Sequence, residues 1–187
     1  MALVDQNVLV LQQIRSFLAN DFAICDTGGR QLASIHTEGS TMSRLFAGSR
    51  ELTVLENGSP VLRLSDPVNV LSRDTFTVSD GNGVPMATIT KEFSVLSRKL
   101  RVELSDGSVL QCAGSLFGLE FTISQGQAVA ARVARRMAGL SSALMGGDRY
   151  LLQLAPDLPP LHRGAMIGTV VTIDLIRAKE SRIPDTT

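Results

Sequence analysis

A strand-turn-strand phrase written three times constrains this chain more than any other feature. It runs Phe22-Ala23-Ile24-Cys25-Asp26-Thr27-Gly28-Gly29-Arg30-Gln31-Leu32-Ala33 and returns as Phe76-Thr77-Val78-Ser79-Asp80-Gly81-Asn82-Gly83-Val84-Pro85-Met86-Ala87. A weaker copy is Phe121-Thr122-Ile123-Ser124-Gln125-Gly126-Gln127-Ala128-Val129-Ala130. Asp, Asn and Gly at the bends bond their own backbone or accept positive φ, so the phrase specifies hairpins rather than chemistry. Near the chain end, Met166 to Ile176 is apolar without polar alternation. That pattern suits an element enclosed on all sides, so a sheet wrapped around a buried helix is expected.

The remaining chain extends the pattern. Val8 to Gln12 reads as a first strand, with hairpin arms at Phe22 to Cys25 and Gln31 to Ile35. Thr37 to Gly48 interrupts the strand pattern, and Met42, Leu45 and Phe46 there suit a short covering helix. Glu51 to Leu55 and Pro60 to Leu64 flank Asn57-Gly58, and Asp66-Pro67 marks an exit from the ladder. Phe76 to Ser79 pairs with Pro85 to Thr90, and Leu100 to Leu104 pairs with Ser108 to Cys112. Leu119 to Ile123 and Tyr150 to Leu154 are further strands, with Ala138 to Gly147 a small-residue connector. The Ala and Arg content of Ala128 to Met137 favours helix, but the hairpin repeat favours strand, and strand is chosen because propensity yields to tertiary pairing.

The late apolar run falls short of the roughly 20 residues that cross a bilayer as a helix. His162 and Arg163 precede it and Asp174 interrupts its end, so Ala165 to Ile176 reads as a core helix. Met166, Ile167, Val170, Val171, Ile173 and Leu175 would supply contacts around most of its circumference. Pro159 and Pro160 halt the preceding chain, while Gly164 and Gly168 permit close approach by surrounding strands.

With 187 residues and 44% apolar content, one domain over residues 1–180 is expected, followed by a flexible tail at 181–187. The 18 basic and 18 acidic residues give no global attraction to nucleic acid or acidic lipid. Low aromatic content, with no Trp and Tyr150 the only Tyr, gives poor support for an aromatic platform that stacks bases. Cys25 and Cys112 read as free thiols buried in strands. The first residues contain neither a basic leader nor a long apolar stretch, which suggests a cytoplasmic protein.

The repeated Phe-x-Ile/Val-x-Asp…Gly phrase, the Asp148-Arg149-Tyr150-Leu151-Leu152-Gln153-Leu154 strand and the closing Ala165 to Ile176 segment together resemble the tubby carboxyl-terminal-like superfamily. Within it, the chain is most similar to the group containing LURP-one-related proteins and phospholipid scramblases. The resemblance implies a mainly β, closed antiparallel barrel of about twelve strands around a buried carboxyl-terminal helix. It also implies that Asp174 matches an acidic residue common near the far end of that helix. There it would cap backbone donors or pair with an Arg, while Thr169 and Thr172 bond helix carbonyls.

No catalytic constellation accompanies the only two histidines, His36 and His162, so enzymatic activity is not expected. His36 is placed at a strand end and His162 beside the central helix. Gly28-Gly29, Gly81-x-Gly83 and Gly146-Gly147 lack the phosphate-loop pattern, and Asp80, Asn82 and Asp106 lack calcium-loop spacing, so neither a cofactor nor a metal is expected. The candidate anion-binding residues are Arg98, Lys99 and Arg101 in one group and Arg132, Arg135 and Arg136 in another. Tubby proteins bind phosphoinositide headgroups through a basic surface, but none of their binding residues is matched to a position here. The leading expectation is a non-enzymatic, monomeric binding or scaffold domain, peripheral to membrane if its ligand is an acidic phospholipid headgroup. A protein-interaction domain without lipid affinity is the alternative. A scramblase reading is weaker, because exposing the helix to lipid would sacrifice its enclosed packing.

Overall fold

The computed structural model describes residues 3–15, 20–38, 50–66, 75–93, 98–114, 119–136 and 149–180. Twelve antiparallel strands close into one barrel. They are β1 (Val8–Arg15), β2 (Asn20–Cys25), β3 (Gln31–Glu38), β4 (Arg50–Glu56), β5 (Ser59–Asp66) and β6 (Thr75–Asp80). The second half comprises β7 (Pro85–Phe93), β8 (Arg98–Leu104), β9 (Val109–Gly114), β10 (Glu120–Gln125), β11 (Ala128–Arg136) and β12 (Arg149–Leu154). Each strand pairs with its sequence neighbours, and β1 closes the ring on β12 with Val8 opposite Gln153 and Leu11 opposite Tyr150. Closure leaves no sheet edge to template aggregation. Helix α1 (Pro160–Glu180) runs through the interior.

The first two phrase copies build the same turn. Asp26 Oδ1 accepts from the backbone N–H groups of Gly28 and Arg30, each at 2.9 Å, and Gly29 adopts φ 84°. Asp80 Oδ1 accepts likewise from Asn82 at 2.9 Å and Val84 at 2.8 Å, with Gly83 at φ 87°. The aspartate thus satisfies donors that the turn itself orphans, and glycine supplies the left-handed residue.

Just past the turn, four hairpins insert one extra residue: Leu32, Val61, Met86 and Ala130. Strict alternation would turn every second residue outward, but a bulge lets two neighbours face the core. The pairs Leu32-Ala33, Val61-Leu62 and Ala130-Ala131 are accordingly buried throughout, and in Met86-Ala87 only Met86 is partly exposed. These consecutive apolar pairs add core side chains next to the hairpin turns.

Residues 162–177 of α1 are all buried, and the apolar ones join inward-facing Leu9, Ile24, Phe76, Val102 and Ile123 in one core. Met166, Ile167 and Val170 are wholly inaccessible; Val171 and Ile173 are 1% exposed and Leu175 is 7% exposed. A Cβ added at Gly168 would lie 2.7 Å from Val78 Cγ2, and one at Gly164 would lie 2.7 Å from Met86 Cε. Glycine is what lets the helix approach β6 and β7.

Several expectations need correction. The helix extends beyond Ala165 to Ile176 in both directions, and Pro160 starts it because the first helical position needs no N–H partner. β3 continues through Thr37 to Glu38, so the strand is not interrupted at Thr37. His36 therefore lies within a strand, its Nε2 2.9 Å from Ser34 Oγ. His162 is part of α1 rather than beside it. Cys25 is only half-buried, whereas Cys112 is wholly buried, and both are free thiols. Ala128–Arg136 is a strand, as the hairpin repeat requires. The covering helix expected around Met42, Leu45 and Phe46, the connector Ala138 to Gly147 and the tail 181–187 lie outside the described residues.

Candidate functional site

The expected cations fall on two separate strands. Arg98, Lys99 and Arg101 belong to β8; Arg132, Arg135 and Arg136 belong to β11, with β9 and β10 between them. At normal strand spacing the two groups stand about 14 Å apart across the wall. The β8 group is partly neutralised: Arg101 Nε meets Glu103 Oε1 at 2.6 Å, and Lys99 lies in register with Glu92 of β7. On β11, half-buried Arg135 is in register with buried Tyr150, so it follows the interior row rather than the outer face. Exposed Arg132 sits between Thr122 of β10 and Gln153 of β12.

Arg132 lines a groove of about 610 Å³ on the outer wall. Ala113, Thr122, Ala134 and Leu151 lie along it, with Glu120, Arg132 and Gln153 providing charge and hydrogen-bonding groups. β-alternation explains the arrangement, since these residues interleave with inward-facing Cys112, Ile123, Val133 and Leu152. Exposed Arg149, absent from the expected cations, joins this wall because β12 places it opposite Arg136. The outward parity of 149, 151 and 153 was its available signal, but reading it required the β11–β12 register.

Inside the barrel, Tyr150 Oη donates to Asp174 Oδ1 at 2.7 Å and accepts from Arg177 Nη1 at 3.1 Å. The Arg177 guanidinium lies 5.6 Å from the Tyr150 ring centroid. Burial, followed by the neighbouring Asp174 carboxylate, pushes the Tyr150 phenol well above its ordinary range. Asp174 thus receives a side-chain donor, with an Arg one bond further on. Thr169 Oγ1 donates to Ala165 O at 2.8 Å as expected, but buried Thr172 Oγ1 has no hydrogen-bond partner.

At the opposite end, His162 Nε2 lies 2.8 Å from Asp106 Oδ2 in the β8–β9 turn. This hydrogen bond is the main reason that the Asp106 carboxyl is held below its usual range. Asp106 sits two positions later in its turn than Asp26 or Asp80 does, and while its Oδ1 accepts from the Ser108 N–H its Oδ2 meets the helix. Next to it, Arg163 donates to Leu158 O, Gln6 O, Asn7 Oδ1, Ala155 O and Pro156 O. That fan of bonds ties the helix start to both strands of the barrel seam at one end. No group of three His, Cys, Asp or Glu among the described residues could hold a metal. No helix among them is long and apolar enough to cross a membrane.

A closed twelve-strand wall around a buried helix, with its polar groups clamped at both ends, defines the class of protein. The LURP-one-related family model matches residues 7–174, and the chain belongs to that family. An X-ray structure of a protein from Arabidopsis thaliana shares this fold, with TM-score 0.56, 16% identity and 91% of each chain covered. No curated protein matches the sequence.

Proposed function

We propose that this LURP-one-related barrel is a non-catalytic binding domain that takes a protein partner in the outer groove over β9–β12. The carrying observation is the juxtaposition of Arg132, Glu120 and Gln153 around Ala113, Ala134 and Leu151. A donor, an acceptor and an apolar floor within one depression suit the mixed chemistry of a polypeptide. A uniformly anionic surface would meet Glu120 unfavourably. The helix occupies the space in which hollow barrels hold small ligands, so among the described residues the outer wall offers a surface for recognition. His36 and His162 are engaged with Ser34 and Asp106, which supports a structural role for both.

A second reading, recognition of an acidic phospholipid headgroup, draws support from Arg149 opposite Arg136, with Arg132 on the same two-strand wall. The β8 group, Arg98, Lys99 and Arg101, supplies less, given Glu103 and Glu92 beside it. Selection of phage-displayed random peptides on the wild-type barrel, repeated on a groove-filling Ala134→Tyr variant, tests the main reading. Peptides retained by the wild type and lost on A134Y are expected. Failure to recover any such peptide, with phosphatidylserine vesicles sedimenting the wild type but not an R132E/R149E variant, would replace the main reading with the second.

A further inference from the structure

Resting on the protein-partner reading, we infer that the partner presents an extended segment with two acidic residues four positions apart and an apolar residue midway. Along β11 the sequence reads Arg132, Ala134, Arg136 at alternate positions, and antiparallel β12 answers with Gln153, Leu151, Arg149. The wall is therefore cation, apolar, cation along its length. Arg132 and Arg149 are the described, exposed cations at its two ends, and Ala134 faces Leu151 between them. Val10 of β1 continues the apolar row as the register partner of Leu151.

Spacing decides the kind of ligand. Gln153, opposite Arg132, is separated from Arg149 by four strand positions, or about 13 Å at the strand rise. An extended peptide also advances about 13 Å over four positions and turns positions i, i+2 and i+4 to the same face. Its outer carboxylates can then take charge-assisted hydrogen bonds from Arg132 and Arg149 while the middle side chain covers Ala134 and Leu151. A helical segment fits less well, because four positions advance only about 6 Å along its axis. Glu120, in register with Ala134, favours a hydrogen-bond donor beside the apolar residue and disfavours a continuous acidic run.

The peptide selection reports this pattern directly, and a synthetic probe measures it. The probe is a fluorescein-labelled serine-rich peptide with Glu, Val and Glu at alternate positions, titrated by fluorescence anisotropy. Controls carry Lys for both Glu, Ser for Val, or the two Glu one position closer. Saturable binding is expected for the probe alone, weakened about tenfold by R132E or R149E, for the loss of one charge-assisted contact each. R149Q provides a milder second variant, and thermal melts establish that each variant is folded. Groove-dependent peptides lacking the acidic spacing, or equal affinity for the closer-spaced control, would overturn this inference while leaving the protein-partner reading intact. Recovery of no A134Y-sensitive peptide would overturn both. Competition by phosphatidylserine vesicles at unchanged R132E and R149E affinity would also remove the strip as the recognition element.

Discussion

Tyr150 of β12 donates its phenolic proton to Asp174 of α1 across 2.7 Å of barrel interior, and Arg177 donates to the same phenol oxygen. The pair joins the last strand to the far half of the helix through a buried polar contact. Removing the hydroxyl in Tyr150→Phe leaves a buried carboxylate without this donor, and an unfolding cost of about 1–3 kcal/mol is expected. Urea denaturation of Y150F against the wild type checks it.

Alkali should loosen the fold through the same interior. Burial pushes the Cys112 thiol up to about 12 from an ordinary 9.0, and burial with Asp174 raises the Tyr150 phenol above its ordinary 10.0. Both groups hold their protons longer when folded than when unfolded, so their stabilisation is complete below the unfolded pKa and declines as pH rises through the folded one. Urea midpoints should thus hold level to about pH 9 and then fall steadily toward pH 12. Cys112→Ala should flatten the early part of that fall and Y150F the later part. A midpoint unchanged from pH 8 to 11 in the wild type would contradict the assignment.

Acid acts with the opposite sign. The His162 hydrogen bond lowers the Asp106 pKa, so this contribution is complete above the ordinary value of 3.8 and is lost as pH falls through the lower folded value. Asp106→Asn should therefore lower the melting temperature near neutrality, and the difference from wild type should shrink as the pH falls below the ordinary 3.8. Melting curves from pH 2 to 7 provide the comparison.

The helix should tolerate change differently along its length. Val170→Asp places a carboxylate in a wholly buried position and should cost about 3 kcal/mol or more, seen as loss of folded protein or a large fall in melting temperature. Gly168→Ala forces a methyl against the stiff side chain of Val78, and overpacking should outweigh the helix-propensity gain, for a net loss of about 1–2 kcal/mol. At Gly164 the closest atom is the mobile end of Met86, so Gly164→Ala should be neutral or stabilising by up to about 1 kcal/mol. Equal effects at the two glycines would contradict the close packing against β6.

Arg163 should resist replacement even by lysine. Its planar fork reaches backbone carbonyls of the β12–α1 connection and of the N-terminal approach to β1, at separations up to 157 residues. Arg163→Lys cannot match that geometry and should lose most of the stability lost in Arg163→Met, about 3 kcal/mol, by urea titration.

The hairpins were legible because their information is local: Asp26, Gly29, Asp80 and Gly83 make their turn within a few residues, and alternation marks the arms. The enclosed helix was legible because Met166 to Ile176 lacks a polar stripe. The bulges were missed because a pair such as Leu32-Ala33 reads as broken alternation until the register shows both residues buried. Arg163 looked like a flanking charge, since Gln6 and Asn7 approach it only on barrel closure. The same dependence hid Arg149 and made Lys99 and Arg101 look freer than the register with Glu92 and the pairing with Glu103 allow.

Closure of β1 on β12 makes assembly a problem of order as well as energy. The first strand of the wall has no partner on that side until the last strand exists, and α1 follows both in the chain. The closed ring encloses 16 buried residues, 162–177, that the chain supplies only after every strand. The seam and the helix therefore depend on contacts distant in sequence, and such contacts form slowly. Arg163, itself in the first turn of α1 and bonded at once to the chain before β1 and the chain after β12, is the latch that fastens the seam to the helix.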